Sequence, residues 1–299
     1  MNTLKTFGLL ALTGLVTFSS CKKDDDESTT PTTGDLVLNI SGLEDLGSGY
    51  TYENWLIVNG SAVSAGTFNV DASGNMSKTS FSTGLSNLNN ATEYVLTIEP
   101  VPDNDPKPSD VHLLGGDFSG NTANLTVSHA KAIGNDFTTA TGGYILATPT
   151  DGGMNTNENS GVWWLNPSTG PGAGLSLPTL PAGWEYEGWA VIDGQPVTTG
   201  KFTSVTGSDN AAPYSETTAG GPPFPGEDFL INTPSGLTFP TDLAGKTVVI
   251  SVEPVPDNST APFLLKPLVG PVPTGAMDHT FYNMNNNASA TNPTGSAKR

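Results

Sequence analysis

Tyr52-Glu53-Asn54-Trp55-Leu56-Ile57-Val58-Asn59-Gly60 and Tyr186-Glu187-Gly188-Trp189-Ala190-Val191-Ile192-Asp193-Gly194 are two renderings of one pattern, 134 residues apart. The likeness continues without a gap to Gly66-Thr67-Phe68 and Gly200-Lys201-Phe202. Downstream, Leu96-Thr97-Ile98-Glu99-Pro100-Val101-Pro102 recurs as Ile250-Ser251-Val252-Glu253-Pro254-Val255-Pro256, now at an offset of 154. The second copy therefore carries 20 extra residues, which the Gly/Pro-rich stretch 207–240 must house. Leu125-Thr126-Val127 falls opposite His279-Thr280-Phe281 at the later offset, which predicts a matching closing strand. Two copies of one unit are the economical reading.

Working outward, each copy reads as short strands between turn residues. Leu36 to Ile40, Glu53 to Val58, Ala65 to Val70, Tyr94 to Glu99 and Leu125 to Val127 are β-branched or aromatic runs bounded by Gly, Pro, Asn and Asp. Asn59-Gly60 and Asp193-Gly194 each stand between two such runs and signal hairpins, because both turn positions need φ > 0. Alternation puts Tyr94, Leu96 and Ile98 on a core face and Val95, Thr97 and Glu99 on a wetter one. The Trp55 run is apolar on both faces, as a central strand would be. Gly 35 and Pro 24 in 299 residues leave little room for long helices. The expected fold is all-β, two tandem antiparallel β-sandwich-like units at 35–130 and 131–282. Tyr144 to Thr148 and Val162 to Asn166 read as an added hairpin in the second unit, and 283–299 as a loose tail.

Charged residues are scarce and lopsided, with Asp+Glu 29 against Lys+Arg 11 and a formal charge of −18. Nothing in such a chain neutralises phosphates, so a nucleic-acid partner is excluded. Met1 to Lys5, the apolar run Phe7 to Phe18 and the small pair Ser19-Ser20 have the layout of a secretory leader over 1–20, too short to span a bilayer. Cys21 is the only cysteine, so no disulfide forms within the chain. Its place after the small pair resembles the lipobox of bacterial lipoproteins, with Phe18 where Leu is usual. That resemblance implies a lipidated Cys21 holding the protein to a membrane. Lys22-Lys23-Asp24-Asp25-Asp26-Glu27 and the Ser/Thr/Pro residues behind them read as a solvated tether over 21–34. The lysine-plus-acidic run resembles the export signal of surface lipoproteins. The expected address is thus the outer membrane, with the protein exposed at the cell surface.

Tyr-Glu-x-Trp, the Asn/Asp-Gly turn, the Gly-x-Phe strand and Thr/Ser-Ile/Val-Glu-Pro, present in both units, resemble the extracytoplasmic C-terminal domain of anti-sigma-K factors. Two features depart from that family. No cytoplasmic anti-sigma module or His/Cys zinc set is read here, and Glu-Pro is followed by Val-Pro-Asp-Asn rather than a Gly-rich stretch. The resemblance implies a shared domain, not sigma-factor inhibition.

Chemistry is thin. His112, His129 and His279 stand beside no nucleophile or metal-ligand partner, and no nucleophile elbow, phosphate loop or dinucleotide fingerprint occurs. Glu53 with Glu99 and Glu187 with Glu253 are paired carboxylates of the kind glycoside hydrolysis uses. Holding backbone amides or a tyrosine hydroxyl explains them better. Asp71, Ser73 and Asn75, and Asp103 with Asp105, have calcium-loop spacing but read as turn residues. No cofactor, metal or catalytic residue is expected. The candidate binding residues are Tyr52, Glu53, Trp55, Glu99, Tyr186, Glu187, Trp189 and Glu253, with Trp163, Trp164 and Trp184 as aromatics able to stack on sugars. The expected function is a non-catalytic binding or sensing module for an envelope protein. The alternative is a surface lipoprotein that presents those three tryptophans to polysaccharide.

Overall fold

A computed structural model of the chain describes residue 1 and residues 31–168, 170–257 and 259–299. The leader, Cys21 and most of the acidic tether lie outside the described residues. Strands of the first half are β1 (Thr33–Ser41), β2 (Tyr50–Val58), β3 (Ser61–Phe68), β4 (Ser80–Gly84), β5 (Ala91–Pro100), β6 (His112–Ser119) and β7 (Thr122–Leu125), with helix α1 (Leu85–Asn90) before β5. The second half adds β8 (Thr141–Leu146), β9 (Gly161–Trp163), β10 (Leu165–Asn166), β11 (Gly172–Ala173), β12 (Leu175–Ser176), β13 (Trp184–Ile192), β14 (Gln195–Phe202) and β15 (Gly226–Asp228). It ends with β16 (Thr247–Pro254), β17 (Leu268–Pro271), β18 (Tyr282–Asn283), β19 (Asn285–Asn286), helix α2 (Ala288–Thr291) and β20 (Thr294–Lys298). Neither helix is long and apolar enough to cross a membrane.

The architecture is all-β and antiparallel, with sandwich-like sheets. The first sheet runs β3-β2-β5-β6-β7-β20-β1-β4, and the corresponding second sheet runs β14-β13-β16-β17-β19. Both begin with the hairpins that the Asn-Gly and Asp-Gly turns predict: φ is 50° and 78° at Asn59 and Gly60, and 52° and 85° at Asp193 and Gly194. Registers coincide as well. The β2–β3 ladder slips between Asn54 and Trp55, and the β13–β14 ladder slips at the equivalent step between Gly188 and Trp189. Opposite each slip stands a glycine in the left-handed half of φ space, Gly66 at 108° and Gly200 at 105°, where a side chain would be strained. The Val-Pro bonds after the two Glu-Pro motifs are both cis.

Burial follows the alternation where one face meets solvent: in β1, Leu36, Leu38 and Ile40 are interior and Val37 is exposed. Tyr144 to Leu146 and Val162 form the added hairpin, β8 pairing with β9. One hydrophobic core runs through both halves, with Tyr52, Tyr94, Tyr186 and Ile250 in a single cluster.

Three expectations are corrected. The face of β5 read as wetter is closed: Val95, Thr97 and Glu99 are at most 2% exposed. The Pro-rich loop after β5 folds back, and its Ser109 N–H bonds to Glu99. No strand forms at His279–Phe281; a turn with His279 at φ 54° stands there, and β18 begins one residue later. Residues 283–299 are not a loose tail, because β20 lies between β7 and β1 and hydrogen-bonds along both. Arg299 then donates to the carbonyls of Leu88, Ala91 and Gly120. Composition alone hid this strand, since its short side chains suit a position sandwiched between two other strands.

The 207–240 stretch is also ordered. Tyr214, Phe229 and Phe239 pack with ring centroids 5.5–6.0 Å apart, and β15 pairs with β9.

Candidate binding site

The repeated motif residues form the same hydrogen-bonded chain in each half. Trp55 Nε1 donates to Thr97 Oγ1 at 2.8 Å, and the Thr97 hydroxyl donates to Glu99. Both oxygens of Glu99 accept the Ser109 N–H, at 2.9 and 3.2 Å. In the second half Trp189 Nε1 donates to Ser251 Oγ at 2.8 Å, the Ser251 hydroxyl donates to Glu253, and Glu253 accepts the Phe263 N–H at 2.9 and 3.2 Å. Glu53 accepts from the Ser64 hydroxyl, as Glu187 does from Thr198. Tyr52 and Tyr186 each donate to a carbonyl eight residues upstream, Glu44 at 3.0 Å and Pro178 at 2.6 Å. These strands cross at a polar but closed layer. The indoles of Trp55 and Trp189, the Thr97 and Ser251 hydroxyls and the carboxylates of Glu99 and Glu253 satisfy one another there, as buried polar groups do, whereas Glu187 Oε2 is left without a partner among the described residues.

The halves differ where Thr67 in β3 is replaced by Lys201 in β14. Lys201 Nζ lies 2.8 Å from Asp257, 3.5 Å from Glu185 and 3.9 Å from Glu187. Carboxylate oxygens of Glu187, Glu253 and Asp257 all lie within 4.8 Å of one another. Burial pushes Glu187 and Glu253 up to about 7. Lys201 is raised: burial disfavours its charge, but the hydrogen bond and attraction of Asp257 outweigh it.

Beside this cluster a cavity of about 280 Å³ opens between the halves. Tyr50, Ile98, Val111 and Phe263 supply apolar walls, and Glu44, Asp45 and Asp257 give it an acidic character. Burial lifts Glu44 to about 7, against the pull of Lys266. The cavity adjoins the motif through Ile98 and Pro254, the chain neighbours of Glu99 and Glu253, while a larger cavity of about 550 Å³ is lined by Glu187 and Trp189. An acid-rimmed, apolar-floored recess suits a basic side chain with a hydrocarbon stem.

The sugar-stacking reading loses its platform. Trp163 is 4% exposed, Trp164 0% and Trp184 3%, and Trp163 Nε1 donates to the buried carboxylate of Asp228 at 2.7 Å. Sequence parity separated the faces of Trp163 and Trp164, but both faces are covered, one by the 207–240 stretch through Phe224 and the other by Tyr144. Trp55 and Trp189 are interior too. Glu99 and Glu253 are 2% and 0% exposed and hold backbone amides. Asp71 Oδ1 accepts from the N–H groups of Ser73 and Asn75, and Asp103 Oδ1 from that of Asp105, which makes both into turn caps.

Sequence reasoning missed Lys201, Asp257, Glu185 and Glu44. Asp257 was visible inside the repeated Glu-Pro-Val-Pro-Asp-Asn motif, and Lys201 as the one charged substitution in the Gly-x-Phe strand. Their convergence needed the register of β13 with β14 and β16. The sequence model of the family described as Anti-sigma-K factor rskA, C-terminal matches residues 28–112. That stretch, which includes β1 to β5, is similar to the anti-sigma-factor-related domain that the family model describes. No curated protein and no solved structure matches the chain.

Proposed function

We propose that the chain is a lipid-anchored protein of the outer membrane, exposed at the cell surface, that acts as a non-catalytic binding or sensing module. Residues 131–282 are its second copy of the anti-sigma-K C-terminal unit. The observation that carries this reading is the family match over 28–112, together with the bond-for-bond recurrence of the Trp–hydroxyl–Glu chain in the second half. The module's seat is the acid-rimmed cavity between the halves, and its partner an envelope protein presenting a basic side chain. The chain's charge of −18 favours such a partner.

Crosslinking on intact cells with a tagged full chain tests this. One envelope protein should be captured reproducibly, and less of it by Asp45→Arg, which reverses an exposed charge at the cavity rim. Recovery of polysaccharide and no protein would overturn the reading. Cys21→Ser should release the protein from membranes, and external protease should digest the wild type on unbroken cells. Digestion only after the outer membrane is opened would remove the surface assignment.

A further inference from the structure

Glu187 Oε2 is sealed from solvent and has no hydrogen-bond partner among the described residues. Glu187 as a whole is 3% exposed. A carboxylate oxygen left in that state is costly, and the Lys201 ammonium at 3.9 Å is too distant to donate to it. The nearest cation to that oxygen is the same ammonium that holds Asp257 at 2.8 Å, and a carboxylate oxygen of Glu187 lies within 4.8 Å of those of Glu253 and Asp257.

Three elements build that group. Glu187 on β13 faces Ser251 on β16 in register, so Glu253, two residues further, shares its side of the sheet. Asp257 arrives from the loop after the cis Val255-Pro256 bond. Calcium holds oxygens at roughly 2.3–2.6 Å, so two oxygens on one ion stand at most about 5 Å apart. Mutual separations within 4.8 Å therefore fit a single ion with little movement. Charge agrees with distance: Glu185, Glu187, Glu253 and Asp257 surround one ammonium. The Lys201 side chain is 22% exposed, so its ammonium has a path out to water.

We propose that Glu187, Glu253 and Asp257 form a site for one hard divalent cation of the calcium class, with Lys201 as a tethered competitor that withdraws when the ion enters. The first half lacks the device: Thr67 replaces Lys201, and Asp103 is exposed. The other acidic cluster, Glu93, Asp117 and His129, does not qualify. His129 Nδ1 accepts the Lys131 N–H, which places the ring proton on Nε2, the nitrogen facing Asp117. This inference does not rest on the partner reading and is tested without a partner.

Full-length protein stripped with EDTA is titrated with calcium chloride by calorimetry and by thermal melting. One ion per chain should bind, near the ~10⁻⁴ M dissociation constants of extracellular modules, and the melting temperature should rise. Lys201→Met should tighten binding about tenfold, because affinity follows the charge of the site. Glu187→Gln and Asp257→Asn should abolish it, whereas Asp71→Asn, in an acidic turn elsewhere, should leave it unchanged. Asp257 lies in a loop, so its variant remains informative if Glu187→Gln fails to fold. Absence of binding to both wild type and Lys201→Met would overturn the proposal. Binding that survives Asp257→Asn would overturn it too.

Discussion

Glu99 is the residue on which the closed face of β5 depends. Its carboxylate takes the Thr97 hydroxyl and the Ser109 N–H, so it pins the Pro-rich loop against the sheet and completes the chain that starts at Trp55 Nε1. Removing it strands the part-buried Ser109 N–H and the buried Thr97 hydroxyl. Glu99→Ala should therefore cost about 2–3 kcal/mol, seen as a lowered midpoint in denaturant. An unchanged midpoint would refute the positioning role. The tryptophans give a second test. Trp55, Trp163, Trp164, Trp184 and Trp189 are all 4% exposed or less, so acrylamide should quench the native fluorescence weakly and the unfolded fluorescence strongly. Strong native quenching would place an indole at the surface and revive the sugar-stacking alternative.

At the scale of elements, local signals and distant pairings separate cleanly. Hairpins at Asn59-Gly60 and Asp193-Gly194 were legible because a two-residue turn fixes register from its own φ values. The strand around Trp55 was legible as central because both of its faces are apolar. What was not legible depended on partners far away in the chain. Thr294 to Lys298 carries almost no hydrophobic pattern, yet it joins β1 and β7 across more than half the sequence. The burial of Trp163 and Trp164 likewise depends on Phe224 and Tyr144, and the acidic group on β13, β14 and β16 meeting. Deleting residues 294–299 should leave β1 and β7 with unpaired ladder groups and prevent cooperative folding. Arg299→Ala alone should cost about 1–3 kcal/mol, since the neighbouring backbone bonds of β20 remain. A truncated chain that melts as sharply as the full chain would show that the first sheet closes without β20.

Across the whole molecule, buried carboxylates set the response to pH. Glu227 is 0% exposed in β15, with the Ser215 hydroxyl, the Tyr214 and Asp228 N–H groups and the Asp209 carboxylate around it. Burial pushes Glu227 up to about 8 and Asp209 up to about 6, from 4.5 and 3.8. Between the unfolded and folded values the native state binds more protons than the unfolded chain does. Stability from these groups is therefore complete below about pH 4 and is lost progressively as pH rises through about 8. The melting temperature should fall across that span and level off above it. A chain carrying −18 also repels itself more as pH rises, so a fall in wild type alone does not identify the cause. Glu227→Gln separates the two: it removes one titration and barely changes the overall charge. The variant should melt with a flatter profile over the whole span from about pH 4.5 to 8, and the slope it keeps below about pH 6 includes that of Asp209. An identical slope in both proteins would deny Glu227 its part and leave the fall to repulsion and to Glu44, Glu187 and Glu253, which burial also raises to about 7.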